Sequence, residues 1–201
     1  MKTYTMKKVN GIPDWNTIAP LSIDTLLWTQ ESDIRAQAQL CWSDTAIHVR
    51  LMAKESHIRA EYTGLMASVC EDSCLEFFFC PTEDSRYFNF EFNSNCALFL
   101  GIGTGDADLV RLIVQDQNAV FAPNTQRTAD GWEITYQIPF TFIRQFFPSF
   151  TPRENLQLRG NCYKCGDLTE NPHFFAWNPI ATGTTFHCPQ YFGQLILGGT
   201  D

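Results

Sequence analysis

The sequence predicts an all-β protein, an antiparallel β-sandwich of the jelly-roll or immunoglobulin-like kind with one short helix. Apolar and polar residues alternate along most of the 201 residues, which is the period of strands that bury one face. Clusters of turn-forming residues, such as "PTEDS", "GIGTGDAD" and "TADGW", separate the alternating stretches. Many short strands with scarcely any helical pattern are typical of a β-sandwich.

Each predicted strand is a short alternating run. In "AIHVRLMA", Ile47, Val49 and Leu51 fall on one face and the side chains between them on the other. Similar runs are "CLEFFFC", "YFNFEFN", "DLVRLIVQ", "GWEITYQIP", "LQLRGNCYKC" and "FGQLILG". In the run "GWEITYQIP" the alternation places Trp132 in the core. We expect a helix only in "PFTFIRQFF", residues 139–147, which begins with one proline and precedes another.

The length and charge of the chain limit the class of protein. A chain of this length fits one domain with a sizeable core, so we predict a single domain over residues 1–201. The 22 acidic against 14 basic residues give a formal charge of −8, which repels phosphate backbones and predicts no nucleic-acid partner. No stretch is apolar enough for a signal peptide or a bilayer span, so we expect no membrane partner and a cytoplasmic location.

The segment "DSCLEFFFCPTEDSRYFNFEFNSN" predicts a hairpin whose register follows from its apolar faces. Matching these faces pairs Leu75 with Phe92 and sets the neighbouring phenylalanines opposite one another. The same register sets Glu76 against Glu91 on the other face. Because two directly opposed glutamates repel, we expect an arginine, a cation or a hydrogen-bonding ligand between them.

Five segments between Asp72 and Leu197 carry a family resemblance: "DSCLEFFF", "YFNFEFN", "NCYKCGD", "PHFFAWNPI" and "FHCPQYFGQLIL". In these the sequence resembles the bacterial family 9-like carbohydrate-binding proteins, which are related to the family 9 modules of xylanases. The resemblance implies a β-sandwich that holds the end of a sugar in a slot between aromatic rings, with polar side chains on its hydroxyls and often with bound calcium. It also implies a place in xylan or glucan catabolism beside glycoside hydrolases.

The aromatic slot implied by the resemblance needs a platform, and we expect Trp177 in "AWNPI" to supply it. Phe186 and Tyr191 are the expected second walls. No tryptophan lies just upstream of "DSCLEFFF", where one wall of the slot is expected, because that stretch reads "GLMASVCE". The sequence therefore departs from a slot built of two tryptophans.

The polar residues suit a sugar, because a pyranose offers apolar C–H faces to a ring and hydroxyls to charged and amide groups. Arg111 or Arg159 is expected to neutralise the opposed glutamates. Along "LQLRGNCYKC", alternation sets Arg159, Asn161 and Tyr163 on the face that would meet the ligand. The predicted carbohydrate-binding residues are Glu76, Asn89, Glu91, Asn93, Arg111, Arg159, Asn161, Tyr163, Lys164, Trp177, Asn178 and His187.

The Cys-x-x-Cys pair in "NCYKCGD" has the spacing of a metal knuckle or a redox centre. Positions three apart in a strand point to opposite faces, so we expect Cys162 in the core and Cys165 on the other face. No second Cys-x-x-Cys completes a zinc site, so neither cysteine is predicted to bind a metal. Calcium is the one candidate cofactor, with Asp106 and Asp108 in "GTGDAD" as its candidate ligands, although the loop lacks the EF-hand pattern.

Three functions fit these residues, and we predict the non-catalytic binding of a mono- or oligosaccharide in carbohydrate catabolism. A glycoside hydrolase would use Glu76 and Glu91 as its carboxylate pair. Opposed strand residues lie about 4.5–5.5 Å apart at Cβ, so both carboxyl groups would lie on one side of a ligand. This geometry argues against hydrolysis, because the two groups would not flank the bond to be broken. A haem-binding sandwich would take its ligands from Met52, Met66, His48 or His57, none of which stands in a haem motif.

Overall fold

The computed structural model describes residues 1–29, 32–183 and 185–200. Within these residues the chain forms fourteen strands, two short α-helices and four single-turn 3-10 helices, which confirms the predicted predominance of β structure. The strands are β1 (Thr3–Lys8), β2 (Leu21–Ile23), β3 (Thr25–Leu27), β4 (Arg35–Trp42), β5 (Ala46–Lys54), β6 (Cys74–Cys80), β7 (Tyr87–Asn93), β8 (Leu98–Gly103), β9 (Val110–Arg111), β10 (Asn124–Thr128), β11 (Gly131–Pro139), β12 (Gln157–Gly166), β13 (His173–Ala176) and β14 (Gly193–Leu197). The α-helices are α1 (Gln117–Phe121) and α2 (Phe140–Phe146).

The strands form one mixed sheet that curls into two halves. The β4–β5–β11 half runs in the order β10-β11-β5-β4-β1, and the β6–β7–β12 half continues as β14-β12-β6-β7-β8-β9. Strand β1 joins the halves, because residues 3–6 pair in parallel with β14 and residues 7–8 pair in parallel with β4. The prediction of a purely antiparallel sheet is therefore wrong at β1. The jelly-roll or immunoglobulin-like strand order stays a prediction.

The two halves pack face to face around the main core. The rings of Phe90 and Phe92 on β7 lie 5.9 Å and 4.8 Å from that of Tyr136 on β11. The predicted inward face of β5 is buried, and Trp132 on β11 is only 1% exposed. Burial of these aromatic and aliphatic side chains is the main force that holds the two halves together.

A second apolar cluster lies on the outer face of the β6–β7–β12 half. The hairpin of β6 and β7 has the predicted register, with Leu75 opposite Phe92 and Glu76 opposite Glu91. Residues of the loop segments 62–70 and 180–192 pack over this face. The outer face of the hairpin is therefore covered by loops, which can enclose a ligand.

The remaining departures from the predicted elements lie near the edge of the sheet. Helix α2 confirms the helix predicted over residues 139–147. Helix α1 was not predicted, and the carboxylate of Asp116 caps it by accepting from the N–H of Ala119 at 2.9 Å. The run "DLVRLIVQ" was predicted as a full strand, but only Val110–Arg111 pair with β8. No helix in the described part of the chain is long and apolar enough to cross a membrane.

Candidate functional site

A cavity of about 310 Å³ opens on the outer face of the β6–β7–β12 half. Its floor contains Glu76 and Glu91, the opposed pair of the hairpin, together with Cys165 of β12. The other lining residues are Trp28, Ser68, Cys70, Phe99, Asp167, Phe174, Thr185, Phe186 and His187. An acidic floor between aromatic walls suits a ligand with hydroxyl groups on its edge and apolar faces.

A larger cavity of about 730 Å³ lies on the β4–β5–β11 half and is lined by the segments 9–13 and 43–45. Two of its titratable lining side chains, Asp44 and His48, have protein partners, and the third, Tyr136, is buried in the main core, where its hydroxyl has no hydrogen-bond partner among the described residues. Asp44 forms an ion pair with Lys8 at 2.8 Å, and Nε2 of His48 lies 3.0 Å from the hydroxyl of Ser43. We favour the smaller cavity as the functional site, because its floor contains Glu76, which has a buried carboxylate oxygen without a partner among the described residues.

The floor carboxylates are almost fully buried, with Glu76 2% and Glu91 5% exposed. Oε1 of Glu91 accepts from Nδ2 of Asn89 at 2.7 Å, and Oε1 of Glu76 accepts from Sγ of Cys165 at 2.9 Å. Oε2 of Glu76 and Oδ1 of Asn89 have no hydrogen-bond partner among the described residues. A buried acceptor without a partner is costly, so a ligand that donates to it gains binding energy.

Burial also changes the charge of this floor. Burial, followed by the negative charge of Glu91, raises the pKa of Glu76 well above its usual range. Burial raises the pKa of Glu91 to about 7, against the opposing effects of Asn89 and of the Arg111 charge. The two groups titrate together, and the pair holds a proton at neutral pH. The floor therefore offers both a hydroxyl donor and carboxylate acceptors.

Of the two candidate arginines, the structure brings Arg111 to the pair. Its guanidinium lies 4.3 Å from the centre of the Phe99 ring, and Nη2 donates to the carbonyls of Leu65 and Ala67 at 3.1 Å and 2.9 Å. The guanidinium of Arg159 instead donates to the carbonyl of Pro189 at 3.2 Å, at the end of β12 where this residue pairs with Cys80. Arg159 therefore does not contribute to the cavity.

The main aromatic wall is one that the sequence did not predict. Trp28 is 40% exposed and lies 5.5 Å from Phe174 and 5.3 Å from Phe186, measured between ring centroids. Phe186 in turn stacks on Tyr163 of β12 at 4.2 Å. Strand β3 pairs with β13 and so places Trp28 beside Phe174. Trp28 also has a φ of 53°, a left-handed conformation that is uncommon for residues other than glycine.

His187 forms another wall and is held by side chains around it. Nδ1 lies 2.6 Å from the hydroxyl of Tyr87, and Nε2 lies 3.6 Å from a carboxylate oxygen of Asp106. Burial lowers the pKa of His187, so the ring is neutral at pH 7. The carboxylate of Asp106 near Nε2 favours the tautomer with its N–H on Nε2, and in that tautomer Nδ1 accepts from the Tyr87 hydroxyl.

Two of the predicted sugar-binding amides, Asn161 and Asn178, form hydrogen bonds that fix the loop after β13, and they do not line the cavity. Oδ1 of Asn161 accepts from the N–H of Asn178 at 2.8 Å, and its Nδ2 donates to the Asn178 carbonyl at 2.9 Å. The Asn178 side chain donates to the carbonyl of Tyr191 at 2.7 Å and accepts from the N–H of Lys2 at 2.7 Å. Asn161 lies on the predicted face of β12, but this loop covers it.

Three further predicted residues lie away from the cavity. Trp177 is 4% exposed in the main core, and an added Cβ at Gly193 would lie 2.5 Å from its ring, so the ring is not an exposed platform. Nδ2 of Asn93 donates to the carboxylate of Asp72 at 2.8 Å, while its Oδ1 accepts from backbone N–H groups of the next turn. Lys164 is fully buried and forms an ion pair with Glu55 at 3.2 Å.

The two cysteines of "NCYKCGD" lie on opposite faces of β12, as predicted. Cys162 belongs to the main core and Cys165 to the second cluster. The calcium candidates fit poorly, because the carboxylate of Asp108 accepts from the N–H groups of Thr104 and Gly105, both at 2.9 Å. It acts as the cap of its own turn, and the loop forms no cage of oxygen ligands around a calcium ion.

The four candidate haem ligands do not share one site. His48 lines the cavity of about 730 Å³, Met52 lines one of about 520 Å³ and His57 lines one of about 270 Å³. Met66 is 70% exposed. These side chains do not converge on one pocket that could hold a macrocycle between two axial ligands.

A curled β-sheet with a loop-covered cavity on one face is an architecture suited to binding a small ligand. The sequence matches the model of carbohydrate-binding family 9 over residues 8–197, and the chain belongs to this family. No curated protein matches the chain.

Solved structures show the same fold. A protein from Bacteroides uniformis, provisionally described as carbohydrate-binding, is 27% identical, with a TM-score of 0.84 over 98% of this chain and 99% of its own. A family 9 carbohydrate-binding module from Caldicellulosiruptor kristjanssonii in complex with cellotriose is 15% identical, with a TM-score of 0.72 over 100% of this chain and 95% of its own. Its counterpart in complex with glucose has 15% identity and a TM-score of 0.70 over 100% and 97% of the two chains.

Proposed function

We propose that the cavity of about 310 Å³ binds a mono- or oligosaccharide without hydrolysing it, in the catabolism of xylan or glucan beside glycoside hydrolases. The observation that carries this proposal is the buried Oε2 of Glu76, which has no partner among the described residues and belongs to a side chain that lines the same cavity as Trp28. The volume is at the small end of the range of about 300–1,000 Å³ for ligand sites, which suits one or two sugar rings. Family membership and the glucose and cellotriose complexes of the related folds support a sugar as the ligand.

Each wall has a distinct role in this proposal. Trp28 offers a flat apolar surface to the C–H face of a pyranose. The pair of Glu76 and Glu91, which holds one proton, both donates to and accepts from hydroxyls of the sugar, and the hydrogen bonds to its charged carboxylate are stronger than neutral ones. Arg111 limits the repulsion between the carboxyl groups, and its stacking on Phe99 keeps the guanidinium in place.

Hydrolysis is the weaker alternative. Glu76 and Glu91 are directly opposed in the ladder between β6 and β7, so both carboxyl groups rise from the same floor. A glycosidase needs its acid and its second carboxylate to flank the bond that breaks. Here a glycosidic bond would lie above both groups, an arrangement suited to binding.

Calorimetric titration with glucose and cellotriose tests the proposal, and we expect the Trp28→Ala variant to bind at least about tenfold more weakly. Loss of one aromatic stacking surface costs about 0.5–1.5 kcal/mol beyond the lost area, and about 1.4 kcal/mol is one power of ten in affinity. Trp15→Ala is the matched control, because Trp15 lines the larger cavity on the other half of the sheet. We expect this control to bind like the wild type.

Two outcomes would contradict the proposal. Binding lost in Trp15→Ala and kept in Trp28→Ala would move the sugar site to the larger cavity. Release of glucose from cellotriose, abolished by Glu76→Gln, would show that the carboxylates are catalytic.

A further inference from the structure

Two residues of the floor, Glu76 and Cys165, form with the buried Cys74 a group of three side chains suited to a metal ion. Sγ of Cys74, Sγ of Cys165 and a carboxylate oxygen of Glu76 all lie within 4.8 Å of one another, and all three residues are buried. Cys165 on β12 is directly opposite Cys74 on β6, and Glu76 is two residues further along the same face of β6. The sheet register alone therefore brings these groups together.

The donor set selects the kind of ion. Two thiolates and a carboxylate bind zinc and similar thiophilic divalent ions, whereas calcium and magnesium require oxygen ligands. Three protein ligands with a fourth position open to a cavity are typical of zinc sites that bind an exogenous group.

A second observation points to a ligand at this place. Oε2 of Glu76 has no partner among the described residues although the side chain is 2% exposed. Glu76 and Cys165 both line the cavity of about 310 Å³, so an ion has a path to them from solvent. A cation beside Glu76 would also offset its repulsion with Glu91.

We propose that Cys74, Cys165 and Glu76 bind one zinc-like divalent cation, with the remaining coordination position facing the cavity. The site does not depend on sugar binding. The sequence analysis predicted that neither Cys162 nor Cys165 binds a metal. The proposal replaces that prediction for Cys165 and keeps it for Cys162, which lies on the opposite face of the strand. The sequence contains no second Cys-x-x-Cys to complete a metal site, because the second thiol, that of Cys74, comes from the neighbouring strand β6.

Titration of the reduced, chelator-treated protein with Cd²⁺ tests the proposal, because thiolate–cadmium bonds give an ultraviolet charge-transfer band that counts the sulfur ligands. We expect one equivalent of Cd²⁺ to give this band and Zn²⁺ to displace it. Cys74→Ser and Cys165→Ser should each lose stoichiometric binding, and Glu76→Gln should keep the band at weaker affinity. Cys162→Ser is the matched control, with the wild-type band expected.

Folding of each variant is checked by its thermal midpoint without metal. Serine at position 165 can still donate to Glu76, so we expect the Cys165→Ser variant to fold almost normally. Should either serine variant fail to fold, the other gives the same test. No saturable band, or a band unchanged in Cys165→Ser, would overturn the proposal. The titration contains no sugar, so a failure of the sugar proposal leaves its result intact.

Discussion

The Lys164→Met variant is expected to lose about 3–5 kcal/mol of unfolding free energy at neutral pH, the usual cost of leaving one partner of a buried ion pair alone. Nζ of Lys164 lies 3.2 Å from Oε2 of Glu55, and both side chains are almost fully buried. The same ammonium group lies 2.7 Å from Nε2 of His173 and 2.9 Å from the carbonyl of Cys165. Methionine has a similar length but no donor, so Glu55 would remain buried without its cation.

Urea unfolding of a small set of variants measures this effect. Lys54→Met is the matched control, because Lys54 forms an exposed ion pair with Asp130 at 2.6 Å. Exposed pairs contribute little, so the control should unfold like the wild type. Adding Glu55→Gln to Lys164→Met removes the unpaired charge and should recover part of the loss. Equal stability of Lys164→Met and Lys54→Met would show that the buried network contributes nothing to folding.

The register and the faces of the hairpin could be predicted because one face of each strand is purely apolar and the other carries polar residues, which leaves one consistent alignment. A shift by one residue would turn Leu75 and its neighbours on β6 away from the main core. The opposition of Glu76 and Glu91 then follows from geometry alone, and the structure has it. The same alternation predicted the opposite faces of Cys162 and Cys165.

The aromatic wall could not be predicted, because it depends on which distant strands become neighbours. Trp28 reaches the cavity only because β3 pairs with β13, far along the chain. Trp177 lies just beyond β13 and has the more suggestive sequence context, yet it faces the main core. A local pattern indicates that a tryptophan is near a strand end but not which side of the sheet it covers.

The polar residues show a second limit of sequence patterns. Alternation placed Asn161 on the correct face of β12, but the loop that carries Asn178 covers it and uses its amide. Lys164 lies on the other face of the strand, where a lysine is unexpected, and only the position of Glu55 explains it. The strand face on which a side chain lies follows from the local sequence, whereas the groups that it contacts on that face depend on the tertiary structure.

The Glu91→Gln variant is expected to bind sugar about ten- to a hundredfold more weakly while folding as well as the wild type. A hydrogen bond to a charged group is worth about 1.5–3 kcal/mol, which corresponds to about one to two powers of ten in affinity. Glutamine keeps the shape of Glu91 but cannot carry the negative charge that the buried pair retains when it holds one proton. Folding should therefore change little or improve.

Calorimetry with glucose and cellotriose, in chelator, gives the affinity of each variant, and thermal unfolding without ligand gives its stability. Glu76→Gln should also bind sugar more weakly, because it changes the floor group whose oxygen has no partner among the described residues. Glu83→Gln is the control, since Glu83 is exposed at the turn of the same hairpin. If both floor variants bound sugar normally and unfolded at much lower temperature, the glutamates would stabilise the fold and the sugar would bind elsewhere. Weaker sugar binding with an unchanged thermal midpoint would instead show that the opposed pair serves ligand recognition and is not needed for folding.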